Sequence, residues 1–459
     1  MKRPRTLRSR LVRYLWLAPA LLTATLAIPL ILIDYGGPDD GDRAHRLRAA
    51  DDQNSYHLVA IDRFSAQLPA PDVSDYPSAT TPGFHLLMAA AKRGLNLSEP
   101  QLRGLNLLFT LLLLGLVAGT LARRTSPAAA ACLTTPLACS LYVVSAAAWL
   151  LPDNLAWLLV AAVLLLLWDS TTSARTLLVA AALLVALVAV RQSHIWAASL
   201  LWTAAWLDHA PPPRRDSSLL PPWPDNAAAW RRTLLSLAGA VAATLPACAL
   251  LAWFIHLWGG LTPPMFQQSL SRPNFATPGL TLALLGVYCV FHTGFVFPAL
   301  AARQDRARLL RLALLGAAGG LAIGALPCST YSIEAGRFSG LWNIVRLTPT
   351  VGNRSLLFMA LSTWGGACAA LWLGMAPTRP RWLIASAGTA FTAAMTLNAM
   401  SWQRYLEPML LLLTAVSAAT LWSQAPAEAR RRAAPFAWLG PTALAAALLA
   451  TTLHSLQLL

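Results

Sequence analysis

Long apolar runs separated by short polar breaks make up nearly the whole chain, and many of the runs reach the length at which a helix crosses a bilayer. This pattern predicts an all-α polytopic membrane protein, a bundle of about thirteen transmembrane helices. The spans fall at about 13–33, 103–122, 127–149, 154–168, 173–190, 194–207, 233–258, 279–301, 309–327, 356–375, 381–399, 404–422 and 437–457. The run 82–91 is too short to cross and is expected as a helix lying at the membrane surface.

Sidedness follows from the arginines. The start carries Lys2, Arg3, Arg5, Arg8, Arg10 and Arg13, so the first helix (1–33 with its basic start) is expected to leave from the cytoplasm and to be retained uncleaved. Strict alternation then puts Arg123, Arg124, Arg175, Arg214, Arg215, Arg231, Arg232, Arg303, Arg306, Arg308, Arg311, Arg379, Arg381 and Arg430 to Arg432 all inside. The large first loop 34–102, the turns at 152–153 and 191–196, the loops 259–278 and 328–355, and the turn 401–408 lie outside. Between helices 2–6 (103–207) and helices 7–13 (233–459) runs a cytoplasmic Pro-rich linker, 208–232. The expected location is a bacterial inner membrane, with the chemistry on the outer, periplasmic face.

Composition agrees with this class. Hydrophobic residues make up 56% and charged residues 12% of 459, too apolar for one soluble domain. The net charge of +16 sits in short clusters between apolar runs, so nucleic acid is excluded as a partner and membrane lipids are expected instead. Six scattered cysteines without a CxxC spacing give neither a metal nor a disulfide framework.

Candidate chemistry concentrates in 51–85, the least apolar long stretch near the front. It holds Asp51 and Asp52, Tyr56 and His57, Asp62 and Arg63, then Ser78, Thr80 and Thr81. Ionisable groups beside hydrocarbon are costly, and those at the outer helix ends, Asp153, Arg191, Arg404 and Glu407, could face that loop. Carboxylates and guanidinium groups on a membrane ledge suit a substrate both lipid-anchored and phosphorylated. Each also has a plain reading. The Asp residues, like Asp39, Asp40 and Asp42, would keep a loop wet; His57 would pack; Arg191 and Arg404 would snorkel; Asp153 would cap its helix; Glu407 would pair with Arg404.

Four short motifs add to this: Tyr56-His57 with Arg63-Phe64, Thr80-Thr81-Pro82-Gly83-Phe84-His85, Leu102-Arg103 with Asn106 to Phe109, and Arg191-Gln192-Ser193-His194-Ile195-Trp196. With Asp153 and the later Arg404, Tyr405 and Pro408, the chain resembles the endoplasmic-reticulum alpha-1,2-glucosyltransferases. These GT-C type enzymes add the last glucose of the lipid-linked oligosaccharide from dolichyl-phosphate glucose. Where that family has an Asp-Glu pair, this chain has Gln53 and Asn54. Either Asp52 supplies the carboxylate through a one-residue shift, the reading adopted here, or the motif is lost.

The resemblance implies an inverting transfer of a hexose from a polyprenyl-phosphate sugar to a lipid-linked or surface glycan, with no nucleotide-sugar donor. Asp52, flanked by Asp51, is the expected base. Arg191 and Arg404, with Arg337, would bind the departing phosphate. His57, Gln192 and Asp153 would orient sugar or acceptor, and Glu407, Thr80 and Thr81 complete the expected substrate site. No metal and no other cofactor is expected. The rivals are a transporter or flippase for lipid-linked glycans, and a catalytically inactive glycan-binding membrane protein.

Overall fold

The computed structural model describes residues 12–33, 47–209, 222–267 and 272–456. The basic start Lys2 to Arg10, the acids Asp39, Asp40 and Asp42, and most of the Pro-rich linker with Arg214 and Arg215 lie outside the described residues. A 3-10 turn (Val12–Leu17) leads into α1 (Ala18–Leu32). The first loop then carries α2 (Arg48–Asp52), α3 (Leu58–Gln67) and α4 (Gly83–Leu95). Next come α5 (Glu99–Arg124), α6 (Pro127–Cys139), α7 (Leu141–Ala148), α8 (Asp153–Asp169), α9 (Ala174–Val190) and α10 (Ala198–Leu207). The second half holds α11 (Ala227–Trp258), α12 (Thr277–Ala301), α13 (Arg306–Ala325), α14 (Leu341–Val345), α15 (Leu356–Met375) and α16 (Thr378–Thr396). It ends with α17 (Gln403–Gln424), α18 (Ala427–Ala437) and α19 (Leu439–Ser455). The only strands among the described residues are a two-residue pair, Thr350–Val351 with Arg354–Ser355.

Eight helical segments of the described residues are long and apolar enough to cross a membrane, fewer than the thirteen read from the sequence. The expected span 127–149 is a broken one, α6 and α7 meeting at 72°. Three others, α8, α9 and α10, have only 17, 17 and 10 residues. The fourth, α16, has the length but is interrupted by Thr, Ser and Gly. Outward-facing apolar residues fit a lipid surroundings: Leu235 on α11 is 63% exposed and Leu315 on α13 is 68% exposed. The chain is thus an all-helical, membrane-spanning protein. The surface helix expected at 82–91 is α4, which buries Phe84, His85, Met88 and Ala89 and ends at Asn96 in the left-handed conformation, φ 51°.

Polar contacts sort the helix ends into two layers. In one, Arg124 pairs with Asp169 at 2.5 Å, Arg379 pairs with Asp208 at 2.5 Å, and Arg303 donates to the Met375 carbonyl. In the other, Asp153 at the start of α8 meets Arg191 at the end of α9 and Arg404 at the start of α17. Helix α8 joins the two layers, and 17 residues at 1.5 Å each put them about 25 Å apart, close to a hydrocarbon thickness. The first set joins residues that alternation puts on one face of the membrane, and the second joins residues that it puts on the other.

Two devices close the bundle. Gly316, Gly320 and Gly324 on α13 recur every fourth residue and let its backbone touch α15; a Cβ at Gly320 would stand 2.3 Å from the Ser362 carbonyl oxygen. On α5, the buried Arg103 satisfies carbonyls that two helix ends leave open: Leu30 at 2.6 Å, Ile33 at 3.3 Å and Ala148 at 2.8 Å. One turn on, the Asn106 amide donates to Ala146 and Trp149. The Leu-Arg-x-x-Asn motif is therefore a clamp on the ends of α1 and α7.

Replacing Arg103 by Leu strands three acceptors, each costing about 1–3 kcal/mol where buried. Thermal unfolding in detergent should drop sharply for Arg103→Leu and recover in part for Arg103→Lys; an unchanged midpoint for Arg103→Leu would contradict the clamp.

Candidate active site

The first loop presents its acids from one continuous helical rod. Between α2 and α3 the backbone stays helical but widens into a π turn, Gln53–His57. Such turns insert one residue and re-aim the side chains that follow. Ala50, Gln53, His57, Ala60, Ile61 and Phe64 form the buried face. Its two polar members are satisfied. Gln53 donates to Glu99 at 2.7 Å and accepts from the Leu150 amide at 2.9 Å, and His57 Nδ1 meets His85 Nε2 at 2.9 Å with the rings stacked. Asp52 falls at the edge of that face.

There it joins a chain of alternating charges drawn from four distant segments. Arg404 Nη1 donates to Asp52 Oδ2, Arg404 Nη2 stands 3.6 Å from Asp153 Oδ2, and Arg191 Nη1 donates to Asp153 Oδ1 at 2.5 Å. Two carboxylates and two guanidinium groups balance. Asp153 is the inner hub, with 11% of its side chain exposed; Asp52 is the open end, at 30%. Among the described residues Asp52 Oδ1 accepts no hydrogen bond, which leaves that oxygen to face an incoming group. The Arg191 guanidinium also lies over the Tyr405 ring, 5.4 Å away, and Tyr405 stacks on Trp402, which meets Phe338 edge-on. An aromatic ledge thus borders the charges.

Burial sets the charge state of the imidazoles beside this chain. It holds His57 down at about 3, an effect that Asp153 opposes and that Arg404 and Arg191 reinforce. His85 is held well below its usual range by burial and then by His57. Both rings are therefore neutral near pH 7, and one N–H between them serves the 2.9 Å contact.

The other expected site residues do different work. Asp51 takes a bond from Ser55 at 3.3 Å and is absent from the Arg404 contacts. Gln192 is engaged with backbone: its amide donates to the Ala79 and Leu261 carbonyls and accepts from the Thr81 amide, each at 2.9 Å. Thr81 donates to the Val188 carbonyl at 2.6 Å, Thr80 is engaged with Ser78 and Tyr76, and Gly83 packs where a Cβ would meet the Ala189 carbonyl oxygen at 2.5 Å. The Thr-Thr-Pro-Gly and Arg-Gln motifs together are a lock that fixes the first loop to the end of α9. Glu407 does not pair with Arg404. Its carboxylate is buried and accepts from Ser140 at 2.5 Å, Tyr288 at 2.9 Å and Gln403 at 2.5 Å.

Arg337 also lies away from the charge chain. It donates from Nε to the Thr330 carbonyl at 2.8 Å and lines a cavity of about 880 Å³ with Arg272, Asn274 and Glu334. Pro278 and Ile323 are shared with a second, almost wholly apolar cavity of about 430 Å³ between α12, α15, α16 and α17. A vestibule with charged walls thus adjoins an apolar slot. Sequence reading missed Arg272 and Glu99, and met His85 and Gln53 only as motif positions without a role. Each is a single polar residue whose meaning appears only with its partner. Among the described residues no group of three or more His, Cys, Asp or Glu side chains is arranged to hold a metal ion.

Two outcomes test this geometry. Asp153→Asn leaves two partly buried guanidinium groups short of a counterion, and thermal unfolding should register a loss of about 3–5 kcal/mol; a loss under 1 kcal/mol would contradict the hub. The buried imidazoles have folded pKa values below their unfolded value near 6.5, so the stability they support is complete above about 6.5 and declines as pH falls from there toward about 3. Unfolding midpoints measured from pH 7.5 to 4.5 should fall, and fall less steeply in His85→Phe; identical slopes would count against the pair. Compared with protein family models, curated proteins and solved structures, the chain matches none.

Proposed function

We propose that the protein is an inverting glycosyltransferase with a GT-C-like bundle of about thirteen helices. It moves a hexose from a polyprenyl-phosphate sugar to a lipid-linked or surface glycan. The observation that carries this reading is the charge chain from Asp52 through Arg404 and Asp153 to Arg191, which gathers residues 350 positions apart around one open carboxylate oxygen. The working face is the one opposite the arginine-rich helix ends, hence periplasmic by the distribution of basic residues. The short helices α8, α9, α10 and α16 complete the bundle in that reading.

In the transfer, the acceptor hydroxyl oxygen attacks the sugar C1 while Asp52 Oδ1 takes its proton. The C1–O bond to phosphate breaks, its electron pair leaves on the polyprenyl phosphate, and the configuration inverts. Arg404, donating to Oδ2, fixes the direction in which Oδ1 points. Because Arg191 and Arg404 are already matched by carboxylates, the departing phosphate falls to Arg337 and Arg272 in the vestibule, with the polyprenyl chain in the apolar slot. The vestibule wall reaches Ala399, five residues before Arg404, at most about 18 Å along the chain. Charge build-up on the phosphate is where the guanidinium groups would lower the barrier.

One observation favours the transporter reading instead. Glu407 is a buried carboxylate at the break between α6 and α7, bonded to Ser140 between them, and ionisable groups at broken helices are a transporter device. Purified protein in liposomes, given a synthetic polyprenyl-phosphate glucose and candidate glycan acceptors, separates the two. Transfer should occur and should fall about 100-fold or more in Asp52→Asn, the usual scale for a general base. Undiminished transfer in that variant would remove the base assignment. Movement of the intact lipid-linked sugar across the bilayer without transfer, lost in Glu407→Gln, would support transport.

A further inference from the structure

A second charged cavity lies at the opposite, arginine-rich end, between the first span and α5. It has a volume of about 460 Å³, and its walls include Arg13, Trp16, Gly115, Gly119, Thr120 and Arg123. The two arginines that follow each other at the end of α5 have different fates. Arg124 pairs with Asp169 and lies 5.4 Å over the Trp168 ring. Arg123 donates only to the Thr120 hydroxyl, and neither it nor Arg13 has a carboxylate at ion-pair distance among the described residues. Residues 1–11 add Lys2, Arg3, Arg5, Arg8 and Arg10 in sequence and no acid, so nothing from that segment neutralises the pair.

The floor of the cavity is shaped by missing side chains. At Gly119 an added Cβ would meet the edge of the Trp16 ring at 3.5 Å, and at Gly115 it would meet nothing within 4 Å. The groove therefore runs up α5 from two guanidinium groups that meet no carboxylate among the described residues, along a small-residue face against an indole. Fixed positive charge at the mouth and an apolar channel behind it are complementary to a single amphiphile.

We infer that this cavity is a specific site for one anionic glycerophospholipid of the basic-side leaflet, its phosphate held by Arg13 and Arg123 and one acyl chain laid over Gly115 and Gly119. The site is remote from the charge chain at the other end and does not depend on the transfer reading. Two surface arginines without a groove would attract headgroups only diffusely. Here the Trp16 and glycine walls fix where the chain goes, which makes one-to-one binding the expected stoichiometry.

Native mass spectrometry of the full-length protein, titrated in detergent with phosphatidylglycerol or phosphatidylcholine, tests this. Phosphatidylglycerol should bind with one saturable site and phosphatidylcholine should not. Each arginine near a surface contributes about 1 kcal/mol, so Arg13→Gln with Arg123→Gln should weaken binding about 30-fold. Gly115→Leu should weaken it with the charge unchanged, and Arg430→Gln with Arg431→Gln should leave it as it was. The inference is overturned by equal binding of both lipids, by full affinity in the Arg13 and Arg123 double variant, or by a protein dimer that Gly115→Leu dissociates, which would mean a second copy fills the groove.

Discussion

Asp153, held between Arg191 and Arg404, is the interaction on which one end of the helix bundle depends. A carboxylate taken out of water at the end of a short apolar helix is stable only if its charge is met, and here it is met from two sides. That requirement brings the start of α8, the end of α9 and the start of α17 into one layer. Asp52, on the rod α2–α3, is then the fourth member and the most exposed of the four. The same logic governs Arg103, whose guanidinium closes the ends of α1 and α7. In both places a polar group beside hydrocarbon is kept by complete matching, and the matching partner fixes the position of a helix.

The class of protein was legible in the apolar runs, and sidedness together with the motif resemblance pointed to Asp52, Asp153, Arg191 and Arg404, along with Arg337 and Glu407, which do not join the chain. Alternating spans put those four on one face, and charged residues on one face of a hydrocarbon layer have few partners other than each other. What could not be read was which residues were already spent. Gln192 and Thr81 look like substrate ligands in sequence because they are polar and near Arg191, yet they use their bonds to lock the first loop onto α9. Glu407 is four positions from Gln403 and three from Arg404, and helical geometry admits either partner; the hydroxyls of Ser140 and Tyr288, far along the chain, decide it. The count of thirteen spans goes beyond the eight long apolar helices for a related reason. Length and hydropathy separate a span from an inner helix only where lipid faces it, whereas α8 is mostly and α10 half buried in protein, and both can be short.

The two cavities at the working side and the one at the basic side share a plan: arginine at the mouth, apolar wall behind. On the working side the vestibule with Arg272 and Arg337 lies against an apolar slot, and on the basic side Arg13 and Arg123 front a glycine groove. Both suit long-chain lipids that carry phosphate, one as the proposed sugar donor and one as a resident lipid. The charge chain itself is neutral overall, so in the proposed transfer the anionic lipid sits beside it and not in it, which leaves the Asp52 carboxylate free for the proposed proton transfer.

The central claim is that Asp52 and Arg404 act as one unit although 352 positions separate them. A double-mutant cycle on thermal unfolding with Asp52→Asn, Arg404→Gln and the combination measures it directly. Coupled charges give an interaction energy of about 0.5–3 kcal/mol, the double variant losing less than the sum of the singles. Additive losses, within about 0.3 kcal/mol, would mean that the two side chains do not meet and that the site is not built as described.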